Sequence, residues 1–282
     1  MSAIALHNDA ARLEVRPELG GALTAFEFAG RPVFRRTPPG ATDAAETSAF
    51  VLAPFPNRIA QARFVFGGRV IALAPDPAGG AHALHGGAWR RPWTVERTGP
   101  AELRMATSDL GDWPWACRVV QDVRLRPDGL DVDVSLINLD ATPMPAGLGW
   151  HPAFAARDVC RVQLDCGMYY PTSDDLPTAP RALEPHWTFA DGVDGAALAP
   201  IDHCLRDWSG AAELVWPDRK IRLTACGCPF LQVYAPTHGS FVCLEPQTCA
   251  PDAFNRDETF GAASLAPGEA LEIQVRIDVA DL

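Results

Sequence analysis

A single lysine, Lys220, stands in a chain of 282 residues. It lies in "WPDRKIRL", which reads as a hairpin turn, so the sequence argues against a pocket lysine for a Schiff base or a phosphate-binding loop. Arginine supplies the other 23 basic residues, but 35 acidic ones bring the formal net charge to -11. Such a chain is repelled by the phosphates of nucleic acid and anionic lipid, so neither is an expected partner; a local basic pocket stays compatible with the sum. No apolar run approaches the length of a membrane span. The amino terminus, "MSAIALHNDAARLEV", has no basic stretch followed by a long apolar one, and predicts no signal peptide. The eight cysteines include no CxxC pair, the nearest approach being Cys226-Gly-Cys228. In a chain this long they read as reduced, mostly buried thiols, which fits a cytoplasmic location.

Helical patterning is nearly absent too. The best window, "TDAAETSAFVLAPF", predicts one or two turns ended by Pro54, and 26 prolines oppose long helices. What the chain does have is period-two alternation. "VVQDVRLRPDGLDVDVSLIN" alternates on both sides of Pro127-Asp128-Gly129 and predicts a hairpin. "AELVWPDRKIRLTA" predicts a second, turning at Pro217-Asp218, and "RFVFGGRVIAL" a third, turning at Gly67-Gly68. "RLEVRPEL", "RVQLDCG", "FLQVYAP" and "LEIQVRIDVA" add shorter strands. Strands this short, punctuated by turn residues, predict an all-β sandwich or barrel. No linker, repeat or low-complexity tract interrupts the chain, so residues 1–282 read as one domain. The stretch from Tyr170 to Pro200, rich in Pro, Asp and Gly, reads as a long irregular excursion of the kind that builds sites on a rigid scaffold.

Four segments break the alternation with polar residues. "PFPNRIAQARFVF" carries Asn57 and Arg58, and "GGAHALHGGAW" carries His82 and His85 in a glycine-rich loop. "GLGWHPAFA" carries His151, and "FVCLEPQTCAPDAFN" carries Glu245 followed at once by Pro246. Singly, each has a bland reading: a surface ion pair, a loop histidine, a satisfied core histidine, an acid at a strand edge. Glu245 is expected to end its strand at a cleft, with Pro246 withdrawing an amide donor and turning the chain away.

In order, "NRI" before "F.F.G", "H.LHGG", "G.HP.F" and "LEP" resemble the aldose 1-epimerases, or galactose mutarotases, over the span from Phe50 to Asn255. The resemblance implies a large antiparallel β-sandwich of the galactose mutarotase type, with an open sugar-binding cleft and very little helix. It implies Glu245 as catalytic base and His151 as catalytic acid. Arg58, Asn57 and His85 are implied as substrate-binding residues, joined by Asp202 in "PIDHCL" and Gln232 in "LQVY". A monosaccharide substrate follows, with no metal and no cofactor. The segment around His151 departs from the asparagine-rich sequence of galactose mutarotases, so the resemblance speaks to the chemistry more than to the sugar.

These residue types suit the chemistry. Anomer exchange requires the anomeric hydroxyl to lose a proton while the ring oxygen gains one. One base and one acid suffice, each contributing roughly 10²–10⁴-fold when placed correctly. Histidine suits the acid because its ordinary pKa lies near neutrality. Alternatives are an epimerase of a hexose 6-phosphate, a non-catalytic carbohydrate-binding protein, a hydrolase or lyase on a similar sandwich, and a metalloenzyme built on His82, His85, Cys226 and Cys228. A serine hydrolase would require a G-x-S-x-G elbow, which the sequence lacks. Oligomeric state is not legible.

Overall fold

The hairpin expected at Pro127-Asp128-Gly129 joins Cys117–Arg126 to Gly129–Asn138, with Arg126 paired to Gly129. Its alternation becomes a two-faced surface: Leu130, Val132, Val134 and Leu136 are buried, while Asp131, Asp133 and Ser135 between them are part-exposed. Ala270–Asp281 pairs with Gly129–Asn138 on one side and with Arg219–Cys226 on the other. The hairpin expected at Pro217-Asp218 forms between Ala211–Val215 and Arg219–Cys226. These strands belong to a nine-stranded antiparallel sheet.

An eleven-stranded sheet faces it in the computed structural model, which describes residues 3–155 and 157–282. At its centre run Ala49–Leu52, Gly149–Ala155, Phe241–Gln247, Phe230–Ala235 and Ile201–Arg206, side by side in that order. One contiguous core unites the two sheets, with Val132, Val134 and Ile277 from the first and Trp150, Leu231 and Leu244 from the second. Each such side chain contributes about 1.5–3 kcal/mol by leaving water. The hairpin at Gly67-Gly68 forms as a separate two-stranded ribbon, Arg63–Phe66 with Arg69–Ala72.

Helices are confined, among the described residues, to single 3₁₀ turns. The expected helical window yields one such turn, Ala44–Glu46, capped by the Asp43 carboxylate accepting from the Ala45 N–H. Ala49–Leu52 then runs as a fully buried strand, because "AFVL" is apolar on both faces and sits inside the sheet. No helix among the described residues is long and apolar enough to cross a membrane. The excursion from Tyr170 to Pro200 holds only two-residue strands and one 3₁₀ turn beyond Tyr170.

One expectation is corrected. Glu245 does not end its strand: Phe241–Gln247 continues through Pro246, which pairs with Leu231. The effect of the proline appears on the other side. The ladder to Gly149–Ala155 passes from Gly149↔Gln247 to Ala153↔Cys243 without a rung between. Pro152 and Pro246 both lie in that interval and neither has an N–H to donate. His151 and Glu245 therefore face each other where the backbone ladder is open.

Candidate active site

Side chains on alternate positions of a strand share a face, and cross-strand register aligns them into rows. Phe50 pairs with His151, Glu245 pairs with Gln232, and Gln232 pairs with Cys204. With the open rung between His151 and Glu245, this forms one row across five strands. His151 Nε2 lies 3.1 Å from Glu245 Oε1. The imidazole stacks on Phe50 at 4.4 Å between centroids and stands edge-on to His85 at 5.7 Å. Its Nδ1 is buried with no hydrogen-bond partner, so stacking rather than a second hydrogen bond orients the ring.

Asp202 lies two residues before Cys204 on the same face, and its Oδ1 accepts from Gln232 Nε2 at 2.5 Å. Arg58 enters from a two-residue strand, Arg58–Ile59, paired with Ala83–Leu84. That pairing brings the "NRI" and "LHGG" segments together. The Asn57 N–H donates to His85 Nδ1 at 3.0 Å, and the His85 N–H donates to the Asn57 carbonyl at 2.8 Å. Both residues adopt left-handed backbone, with φ of 56° at Asn57 and 58° at His85. Gly86 follows at φ 68°, and a Cβ there would lie 2.2 Å from the Ala53 carbonyl oxygen, so the loop can press against its neighbour only with glycine at this point. Because His85 Nδ1 accepts a backbone N–H, the neutral ring carries its proton on Nε2. Burial, with His151 and Arg58 nearby, holds the His85 pKa well below its ordinary value.

A small polar pocket opens between these elements, lined by Asn57, Arg58, Tyr170, Asp175, Asp202 and Gln232 among others. Arg58 Nη2 reaches Asp175 Oδ1 at 3.8 Å, and its Nε is buried without a partner. The fold thus gathers Asn57, Arg58, His85, His151, Asp202, Gln232 and Glu245, which are spread over nearly two hundred positions of sequence, into one region.

The electrostatics follow from burial. The His151 side chain is 14% exposed and that of Glu245 3%. Desolvation penalises the charged form of each: it pushes the His151 pKa down to about 3, with the Arg35 charge adding to the effect, and the Glu245 pKa well above the usual carboxylate range. Asp202 raises Glu245 further and Arg58 opposes that. Burial thus favours the neutral partition of a shared proton, carboxylic acid beside imidazole. It moves His151 far from the near-neutral value that its residue type suggests. Asp202 is also raised by burial, against the pull of Arg58 and the Gln232 hydrogen bond.

Several residues around the site carried no sequence signal. Phe50 lies in the window expected to be helical and carries no site signal, yet it forms the platform for His151. Asp175 comes from the irregular excursion, whose composition marked the segment but not the residue. Asp252, buried behind Arg58, donates its N–H to the Arg58 carbonyl at 2.7 Å, while its carboxylate accepts from the Ala60 N–H, Asn255 Nδ2 and Arg256 Nε. His82 plays a similar scaffolding part, its Nδ1 accepting from the Gln61 N–H at 3.0 Å.

The metal quartet considered from sequence does not assemble. His82 and His85 each spend Nδ1 on a backbone N–H, and Cys226 ends a strand of the other sheet.

A family model described as aldose 1-epimerase matches residues 2–278. The chain belongs to the aldose 1-epimerase family. Among relatives, the uncharacterized Escherichia coli K12 protein YphB is 28% identical over 306 residues, covering 99% of this chain and 99% of its own. The solved structure of an Escherichia coli K12 protein described as a candidate aldose 1-epimerase superposes with a TM-score of 0.91 at 26% identity, covering 100% of this chain and 99% of that one. The galactose 1-epimerase of Lactobacillus acidophilus shares the fold, with a TM-score of 0.81 at 17% identity over 99% of this chain and 94% of its own. In this chain the antiparallel fold carries the polar row on one face of its larger sheet.

Proposed function

We propose that this family member is a mutarotase, an isomerase that interconverts the α and β anomers of a free aldose, and that residues 1–282 act as one catalytic domain. The observation that carries this reading is the His151–Glu245 pair, 3.1 Å apart, beside a small polar cavity. The anomeric hydroxyl and the ring oxygen hang on a single carbon, so a donor and an acceptor this close can each face one of them. The reaction needs one proton moved off the hydroxyl and one onto the ring oxygen, and a pair that holds a single proton matches that count. Glu245 acts as base towards the hydroxyl and His151 as acid towards the ring oxygen. Entry of a polar sugar and the charge of Arg58 favour the carboxylate, which burial disfavours. Ring closure on the other face of the aldehyde reverses the transfers.

Arg58, Asn57 and Asp202 supply donors and acceptors on both sides of the cavity, as the hydroxyl-rich edge of a sugar requires. His85 contributes a neutral Nε2–H donor. Gln232 holds Asp202 in place through its amide. The test is a panel of freshly dissolved α-sugars followed by NMR or polarimetry. Acceleration of exchange for at least one sugar is expected. Tight binding of a sugar with no acceleration would instead support a carbohydrate-binding protein.

A further inference from the structure

Cys243 stands two residues before Glu245 on the same strand, and its side chain emerges on the same face. The proposed acid–base chemistry leaves this thiol unused. A buried cysteine often packs as a small apolar group, but this one lies beside two other ligand types. One donor atom from each of His151, Cys243 and Glu245 lies within 4.8 Å of the others. These are imidazole nitrogen, sulfur and carboxylate oxygen, the donor set of zinc sites.

We propose that the His151–Cys243–Glu245 cluster is a binding site for a zinc ion that replaces the proton of the acid–base pair and switches anomer exchange off. Zinc bonds of about 2.0–2.3 Å in a tetrahedron set ligand atoms roughly 3.3–3.6 Å apart. The His151–Glu245 separation of 3.1 Å is nearly that spacing. The Cys243 sulfur lies within 4.8 Å of the other two donor atoms, and binding would draw it inward. Three protein ligands leave a fourth position open, and His151 is the most exposed of the three. Glutamate and cysteinate together balance the dication. Burial favours the protonated form of both groups, which zinc must displace; Glu245 and Asp202 add negative potential at Cys243, and Arg35 opposes it there. On binding, the pair's proton and the thiol proton leave to solvent, and zinc takes the lone pairs that they held. The ion is an inhibitor here, not a cofactor, because it occupies the groups that must move protons. The loss of exchange rests on the mutarotase reading; the binding does not.

Cobalt(II) serves as a spectroscopic stand-in. Titrated into the wild-type protein after chelator treatment, it is expected to give a thiolate-to-metal charge-transfer band in the near ultraviolet at one equivalent, and zinc should bleach that band. Cys243→Ala should lose the band while keeping the exposed Cys226, and Cys226→Ser should retain it. In exchange assays zinc should inhibit wild type competitively with sugar, chelator should restore the rate, and Cys243→Ala should need at least ten times more zinc for half inhibition. Should the alanine variant not fold, Cys243→Ser keeps the volume, weakens the ligand and should lose the same band. Absence of a charge-transfer band in wild type, or equal zinc sensitivity in wild type and the Cys243 variant, overturns the proposal. The spectrum reads binding even if no sugar tried is turned over, so failure of the site and failure of the mutarotase reading are separable.

Discussion

His151 Nε2 meets Glu245 Oε1 at 3.1 Å across a gap in the sheet ladder, and no backbone rung lies between them. The two prolines that open the ladder, Pro152 and Pro246, each follow one of the pair in sequence. The acid and base are thus set on adjacent rigid strands, yet the space between them is free of the backbone bonds that would otherwise tie those strands together.

Glu245→Gln keeps the size of the side chain and removes the base. Exchange should fall by roughly 10²–10⁴-fold, while sugar still binds. His151→Asn should give a similar loss. The double variant should be far less impaired than the product of the two losses, because the groups act as one relay. NMR exchange rates on the preferred sugar measure all three. Near wild-type exchange in Glu245→Gln would shift the base to Asp202.

The pH profile should be a broad plateau, with limbs that belong to the pair rather than to either residue. The one-proton state is lost at low pH when a second proton enters, and the depressed His151 sets that limb near 3. It is lost at high pH when the last proton leaves, and the raised Glu245 sets that limb above the ordinary carboxylate range. From residue type alone, the low limb would belong to the glutamate and the high limb to the histidine. Burial exchanges them. A low-pH limb that halves the rate near the ordinary histidine value would contradict this account.

Stability should carry the same signature. Glu245 binds its proton more tightly folded than unfolded, so its contribution declines as pH rises from about 4.5 towards the raised folded value. The maximum slope is about 1.4 kcal/mol per pH unit. Glu245→Gln mimics the neutral acid, including a donor for His151, and removes that slope. The variant should gain thermal stability relative to wild type as pH rises above 4.5, although it is catalytically impaired. Parallel melting curves at several pH values would show this; a constant difference in melting temperature would not fit.

Arg58→Ala should raise KM and lower kcat together, because the guanidinium holds the substrate rather than moving a proton, and it also steadies the Glu245 carboxylate. Asp202→Asn should weaken binding more than turnover. If Arg58→Ala left KM unchanged, the cavity between Arg58 and Asp202 would not be the sugar site.

Asp252→Ala should destabilise the fold by about 2 kcal/mol, the cost of removing a buried charged acceptor of several hydrogen bonds. The same variant should raise KM, because the Asp252 carboxylate ties down the Ala60 N–H in the segment that carries Arg58. Denaturant titration and steady-state kinetics test the two halves separately.

Much of this protein was written locally. Each hairpin announced itself through alternation and a turn pair, since period-two burial and turn chemistry are properties of a few consecutive residues. The polar interruptions were visible for the same reason: Asn57, Arg58, His85, His151 and Glu245 stand where apolar patterning breaks. The tertiary structure decided what register and burial decide. Five strands distant in sequence had to align before Phe50, His151, Glu245, Gln232 and Cys204 could form a row. Pro246 could be read as a strand end because its missing N–H is a local fact, but pairing with Leu231 on its other side lets the strand continue. The same enclosure that places His151 against Glu245 removes water from both, and it is that desolvation, invisible in residue type, which sets where their one proton rests.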